Sequence, residues 1–222
     1  MSVNTANYRA ILAEVNAAGA HLVAVSKTHP VEDIMVLYEL GHRDFGENRV
    51  AELLEKQAAL PKDIRWHFIG HLQRNKVRDL VPFVHLIHAV DSVRLLREID
   101  KQAGLAGREV RVLLQFHIAE EESKYGFDPE QPEVLLSELN TTPLIHTTIA
   151  GVMGMATYTD HDEQIFLEFS RLAEVFRFLK NKAFAANPHF LALSMGMSGD
   201  YPIALQLGST HVRVGSLLFG ER

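Results

Sequence analysis

The chain has 222 residues, 47% of them hydrophobic and 23% charged, with a formal net charge of −6 and no cysteine. This is globular composition, so disorder is excluded, and the acidic balance argues against general nucleic-acid binding, which needs a basic surface. Disulfides and thiolate metal sites are excluded with the cysteines.

The length suffices for one sizeable core, and a single domain over 1–222 is expected. The first residues, Met1–Asn7, lack the basic-then-apolar pattern of a signal peptide. No apolar run nears the roughly 20 residues that span a bilayer. A cytoplasmic protein without a membrane partner is the expectation.

Apolar runs of strand length alternate with helix-period stretches along the whole chain. A helix over Asn4–Ala18 precedes the first strand, Leu22–Val25. Helix Val31–Glu39, strand Asp44–Phe45, helix Glu47–Gln57 and strand Arg65–Ile69 follow. Next come helix Gln73–Leu80, strand Leu86–His88, helix Ser92–Gly104 and strand Val110–Phe116. Helix Pro129–Leu139, strand Thr148–Gly151, helix Asp162–Asn181 and strand Phe190–Leu193 come after these. Helix Tyr201–Leu207 and strand His211–Val214 close the series. Such alternation implies right-handed βαβ units and a parallel sheet covered on both faces. Eight strands in this length suit an α/β fold of the closed (β/α)8 barrel type with an extra N-terminal helix. An open doubly wound sheet is the alternative. A barrel places functional residues at the carboxyl ends of strands, with a phosphate site commonly after strands seven and eight.

Lys27 stands just past the first strand, in His21-Leu-Val-Ala-Val-Ser-Lys-Thr-His-Pro30. A lysine there must reach solvent, find a partner or lose its proton. A desolvated lysine is a nucleophile for Schiff-base chemistry, and a snorkelling surface lysine is the bland alternative. After strand seven, Ser198, Gly199 and the amides ahead of Tyr201 suit an anion cradle, with Asp200 placed as N-cap. A plain strand–loop–helix turn would use the same residue types. In the last strand, alternation puts Val212 and Val214 on one face and Arg213 on the other. An inward arginine needs an acceptor, and Gly215 and Ser216 follow with an amide and a hydroxyl.

Five segments occur in order: Ala24-Val-Ser-Lys-Thr28, Phe45-Gly-Glu-Asn48, Trp66-His-Phe-Ile-Gly-His-Leu-Gln-Arg-Asn-Lys76, Ser194-Met-Gly-Met-Ser-Gly-Asp200 and Arg213-Val-Gly-Ser216. Together they resemble the pyridoxal phosphate homeostasis proteins, relatives of the N-terminal barrel domain of alanine racemases. The resemblance runs from about Leu22 to Gly220. It implies a TIM barrel of PLP fold-type III. It implies pyridoxal 5′-phosphate (PLP) held as a Schiff base on Lys27. It also implies phosphate contacts from Ser198, Gly215 and Ser216, and Arg213 facing the pyridine nitrogen. Asn48, His67, Met153 and Met155 match positions that line the family's pocket. Gly199 stands where many members have Asp, His71 where many have Pro, and Ser216 where Thr is frequent.

Arginine stays protonated, so Arg213 cannot take a proton from the ring nitrogen, and the ring is a weak electron sink. Related racemases recruit a second base from a C-terminal domain and a partner subunit, and no such second base is expected here. The expectation is a PLP-binding protein of intracellular PLP homeostasis that buffers, carries or delivers the cofactor, without robust catalysis and with no catalytic residue. PLP-dependent apoenzymes are expected recipients and a monomer the expected state. The alternatives are a single-domain PLP-dependent amino-acid racemase and a PLP-independent phosphosugar-binding barrel.

The 12 histidines invite a metal reading, but His67 with His71 and His85 with His88 do not fall on one helix, and no metal is expected. Glu120-Glu-Glu122 reads as a solvated loop. Lys124 belongs to a family-like Ser-Lys-x-Gly segment that could reach the pocket mouth. Trp66, Met195 and Met197 read as packing.

Overall fold

The computed structural model describes residues 3–120, 125–141 and 143–220. Lys124 and the acidic pair Glu121 and Glu122 lie outside the described residues.

Eight strands close in sequence order, all parallel: β1 (His21–Val25), β2 (Asp44–Glu47), β3 (Arg65–Phe68), β4 (Leu86–Val90), β5 (Val110–Gln115), β6 (Thr147–Met153), β7 (Ala192–Ser194) and β8 (His211–Val214). The ring closes through β1 and β8, with Val23 level with Arg213 and Ala24 with Val214. The helices around it are α1 (Thr5–Ala17), α2 (Val31–Glu39), α3 (Val50–Ala59), α4 (Val77–Leu80), α5 (Val93–Leu105), α6 (Pro132–Leu139), α7 (Asp162–Lys182), α8 (Tyr201–Gln206) and α9 (Ser216–Phe219). The closed (β/α)8 barrel with an extra N-terminal helix is therefore the fold.

Local chemistry explains the helix starts. The Asn4 side chain accepts from the Asn7 amide at 2.9 Å and caps α1, and Ser92 caps α5 through the Leu95 amide at 3.3 Å. Asp200 differs from expectation. Its carboxylate turns back to the Met197 amide and makes no cap bond to α8. The helix expected from Glu47 begins at Val50, because Glu47 is the last residue of β2 and fully buried.

Strand alternation sorts the core into two compartments. Leu22, Ala24, Val212 and Val214 face outward and join the large apolar annulus between strands and helices. Each such Leu or Val contributes on the order of 1.5–3 kcal/mol through burial. The barrel interior holds only a small apolar cluster of Leu86, Ala89, Leu113, Ala150, Met153 and Ala192. Much of the remaining interior is polar: His67, His88, Ser194 and Arg213 are all at most 3% exposed. Buried polar groups on this scale need partners, and their partners define the site.

Candidate functional site

Lys27 lies in the turn after β1, half-buried at the carboxyl-terminal mouth. The residues on either side of it are clamped. Ser26 is buried and its hydroxyl donates to Glu47 Oε1 at 2.6 Å. Lys56 reaches in from α3 and donates to the Ser26 carbonyl at 2.8 Å, to Glu47 Oε1 at 2.7 Å and to Glu52 Oε1 at 2.6 Å. Glu52 also accepts from the Thr28 amide. Thr28 has φ +68°, a left-handed conformation that a β-branched residue adopts only under constraint. The clamp from β2 and α3 supplies that constraint, so the backbone that carries Lys27 is held from two elements. Burial pushes the Glu47 carboxyl up, against the pull of Lys56 and Ser26. For Glu52 burial also raises the pKa, but the Lys56 and Thr28 bonds outweigh it and the net shift is downward.

The loops after β7 and β8 meet beside Lys27. The Gly215 amide donates to Ser198 Oγ at 3.2 Å. Gly215 packs against the end of β1 so closely that a Cβ there would sit 3.1 Å from the Val25 carbonyl oxygen. A Cβ on Gly199 would meet nothing within 4 Å, so the loop opens outward there. Ser216 is exposed and opens α9.

Arg213 points into the barrel, as strand alternation predicts. It is 3% exposed, and its Nη1 donates to Ser194 Oγ at 2.6 Å and its Nη2 to the Gly154 carbonyl at 3.0 Å. Ser194 ends β7 and Gly154 follows β6, so the guanidinium sits at the carboxyl ends of those strands. Burial pushes its pKa down to about 10, with the Asp200 charge acting upward, so it stays protonated at neutral pH. Both named acceptors are neutral. A buried guanidinium with no carboxylate in contact among the described residues leaves further N–H donors to face a ligand.

Residues 4–222 match the family described as alanine racemase, N-terminal domain. The pyridoxal phosphate homeostasis protein of Aquifex aeolicus is 41% identical over 204 residues, 91% of this chain and 87% of that one. The Homo sapiens protein of the same name is 37% identical over 212 residues, 90% of this chain and 76% of that one. This chain belongs to the pyridoxal phosphate homeostasis protein family. A solved member, PipY of Synechococcus elongatus PCC7942 with PLP bound, superposes with TM-score 0.86 at 35% identity, covering 96% of this chain and 98% of that one. Alanine racemase of Streptomyces lavendulae shares the fold alone, with TM-score 0.76 at 19% identity over 97% of this chain and 56% of that one.

Within this family frame, the structure brings Lys27, Ser198, Gly215 and Ser216 to one mouth, with Arg213 beneath them. Asn48 follows β2 at the same mouth, and its Oδ1 is buried with no hydrogen-bond partner among the described residues. Met153 ends β6 and is fully buried in the interior cluster, with Met155 packed against it. His67 is placed differently from the others. Its Nδ1 bonds His88 and its Nε2 bonds Asp44 at the opposite mouth, so both ring nitrogens are taken by protein groups.

Sequence reasoning missed Glu47, Glu52, Lys56, His88 and Ser194. Glu47 and Ser194 lay within quoted motifs, and an acid at a buried strand end was a usable signal. Asp44, His67 and His85 place ligand atoms within 4.8 Å of one another at the amino-terminal mouth. There the Arg65 guanidinium bonds both Asp44 oxygens and His67 bonds one of them, so the set is organised around a guanidinium.

Proposed function

We propose that this protein binds PLP on Lys27 and serves PLP homeostasis, holding and releasing the cofactor without robust catalysis. The observation that carries the reading is the buried, donor-only Arg213 beneath a mouth lined by Lys27, Ser198 and Gly215. The residues present fit the cofactor. Lys27 offers the amine, Ser198, Gly215 and Ser216 offer hydroxyl and amide groups to a phosphate, and Arg213 offers N–H groups to a ring nitrogen. Asn48 brings an amide whose buried oxygen has no partner among the described residues.

When bound, PLP supplies an electrophilic aldehyde and an aromatic electron sink. Arg213 donates a hydrogen bond and cannot accept a proton, so it leaves the ring nitrogen unprotonated and the sink weak. The Glu47–Lys56–Glu52 clamp fixes the Ser26–Thr28 backbone and so orients Lys27. Half-exposure of Lys27 admits an incoming amine, which supports exchange of the cofactor with PLP-dependent apoenzymes in the cytoplasm. A monomer suffices for this reading, since each named group comes from one chain.

The test is the visible absorbance of purified protein with added PLP, for wild type and Lys27→Ala. A lysine-bound band that disappears on borohydride reduction and is missing in Lys27→Ala is expected. No band in wild type would overturn the reading. Lys27-dependent racemisation of amino acids at a robust rate would overturn the non-catalytic part.

A further inference from the structure

Four hydrogen bonds in series cross the barrel interior. Arg213 Nη1 donates to Ser194 Oγ at 2.6 Å, and Ser194 Oγ lies 2.9 Å from His88 Nδ1. His88 Nε2 lies 2.9 Å from His67 Nδ1, and His67 Nε2 lies 3.0 Å from Asp44 Oδ1. The members come from β8, β7, β4, β3 and β2, and the run ends at the mouth opposite Lys27. His67, His88 and Ser194 are each at most 2% exposed.

The two ends have fixed chemistry. Arg213 can only donate. Burial raises the Asp44 carboxyl, but the Arg65 and His67 bonds outweigh it and hold the group well below the usual carboxylate range, so it only accepts. Working inward from Asp44, His67 must carry its proton on Nε2. Its Nδ1 then accepts from His88 Nε2–H. Burial holds His88 in its neutral form, with the Arg213 charge acting the same way. His88 Nδ1 is therefore bare and accepts from the Ser194 hydroxyl. The Ser194 oxygen is left to accept from Arg213. Every donor meets an acceptor in this one arrangement. A proton added at His67 Nδ1 would turn His88 around and aim its Nδ1–H at Ser194, which already faces Arg213.

We propose that the series from Asp44 through His67, His88 and Ser194 orients Arg213 and is a positioning device for the cofactor's ring-nitrogen contact. The role toward the cofactor rests on the PLP reading above. A carboxylate placed directly on Arg213 would take its paired N–H groups in a bidentate bond. Anchoring Nη1 on a neutral hydroxyl, with the Asp200 charge nearby, leaves the remaining donors free for the ligand. Asp44, His67, His88 and Ser194 are then positioning residues, and their sequence pattern follows from the fold rather than from a local motif.

The first arm of the test needs no cofactor. Nitrogen-15 spectra of histidine-labelled full-length protein at pH 7, assigned by single histidine substitutions, report both tautomers. Protonated Nε2 and bare Nδ1 are expected at His67 and at His88. An Nδ1–H tautomer or a doubly protonated ring at either residue would overturn the proposal. The second arm measures PLP affinity for wild type, Asp44→Asn, Ser194→Ala and the double variant. Each single change is expected to weaken binding roughly three- to tenfold. The double variant is expected to bind no worse than the weaker single one, because either change interrupts the same series. Multiplying losses, or an unchanged Asp44→Asn affinity, would overturn it. Should Asp44→Asn fail to fold, the tautomers decide alone. A wild type that takes up no PLP sinks the cofactor reading, while the tautomer arm still judges the series itself.

Discussion

Replacing Lys56 by methionine tests the clamp behind Lys27. Met keeps much of the apolar stem and removes the charge. Three bonds go with it, to the Ser26 carbonyl, Glu47 and Glu52. They are not equal. The Glu52 side chain is 20% exposed and regains water, whereas that of Glu47 is 0% exposed and cannot. Stranding a buried charge by deleting its partner costs about 3–5 kcal/mol. Glu47 escapes part of that by taking a proton, and the sign of the pH dependence follows. A carboxyl whose folded pKa lies above its unfolded value binds more protons folded than unfolded. Stability therefore falls as pH rises from the unfolded value of 4.5 through the folded one. Burial already shifts Glu47 upward in the wild type, and loss of Lys56 shifts it further. Urea unfolding at pH 5.5 and pH 8 should show Lys56→Met losing roughly 3–4 kcal/mol at the higher pH. At the lower pH the loss should shrink by up to about 1.4 kcal/mol per pH unit over the titrating range. PLP affinity should fall in parallel, since the Ser26–Thr28 backbone loosens. A loss under about 1 kcal/mol at pH 8, or one identical at both pH values, would refute the buried-pair account.

The histidines near the amino-terminal mouth carry a second pH signature. Burial pushes His85 down to about 4 and His211 down to about 3. The unfolded chain binds these protons near pH 6.5 and the folded one does not, so stability is lost as pH falls below that value, by up to about 1.4 kcal/mol per unit for each group. Thermal unfolding should show a melting temperature that drops from pH 7.5 to 5.0; a flat profile would contradict the burial. Gly151→Ala should be among the most damaging single changes. A Cβ at φ +154° would sit 1.8 Å from the Ala192 carbonyl oxygen, at the register point where β6 pairs with β7. A destabilisation of about 3 kcal/mol or more in urea unfolding is expected, with loss of soluble expression as the extreme.

The barrel was legible because each βα unit repeats one pattern, an apolar run followed by a helix-period stretch. Arg213 was legible from alternation alone, since Val212 and Val214 must face the annulus. Boundaries were harder at strand ends. Glu47 read as the first residue of a helix because acids favour helix starts, yet tertiary burial made it the last residue of a strand. Lys56 was missed because nothing local marks the side of α3 that faces β2. The polar series from Asp44 to Arg213 was hidden because its members come from five strands. One trace of it exists. His67 lies 23 residues from Asp44 and 21 from His88, about one βα unit each, but that spacing acquires meaning only once the register is known.

The two polar systems serve opposite sides of one constraint. A barrel interior this small gains stability from apolar filling, and a buried arginine works against that gain. Placing a carboxylate next to Arg213 would be the simplest compensation, and it would also occupy the donors a ligand needs. The chain instead ionises Asp44 at a mouth where Arg65 can share it, and transmits the polarity through groups that are each hydrogen-bonded on both sides. On the Lys27 side the reverse arrangement holds. There the clamp charges touch directly and lie in and behind the strand-end turn, so Lys56 pairs with Glu47 while Lys27 stays at the open mouth. The amine and the guanidinium are thus held by separate networks. A change in the clamp should alter cofactor affinity without altering the histidine tautomers of the series.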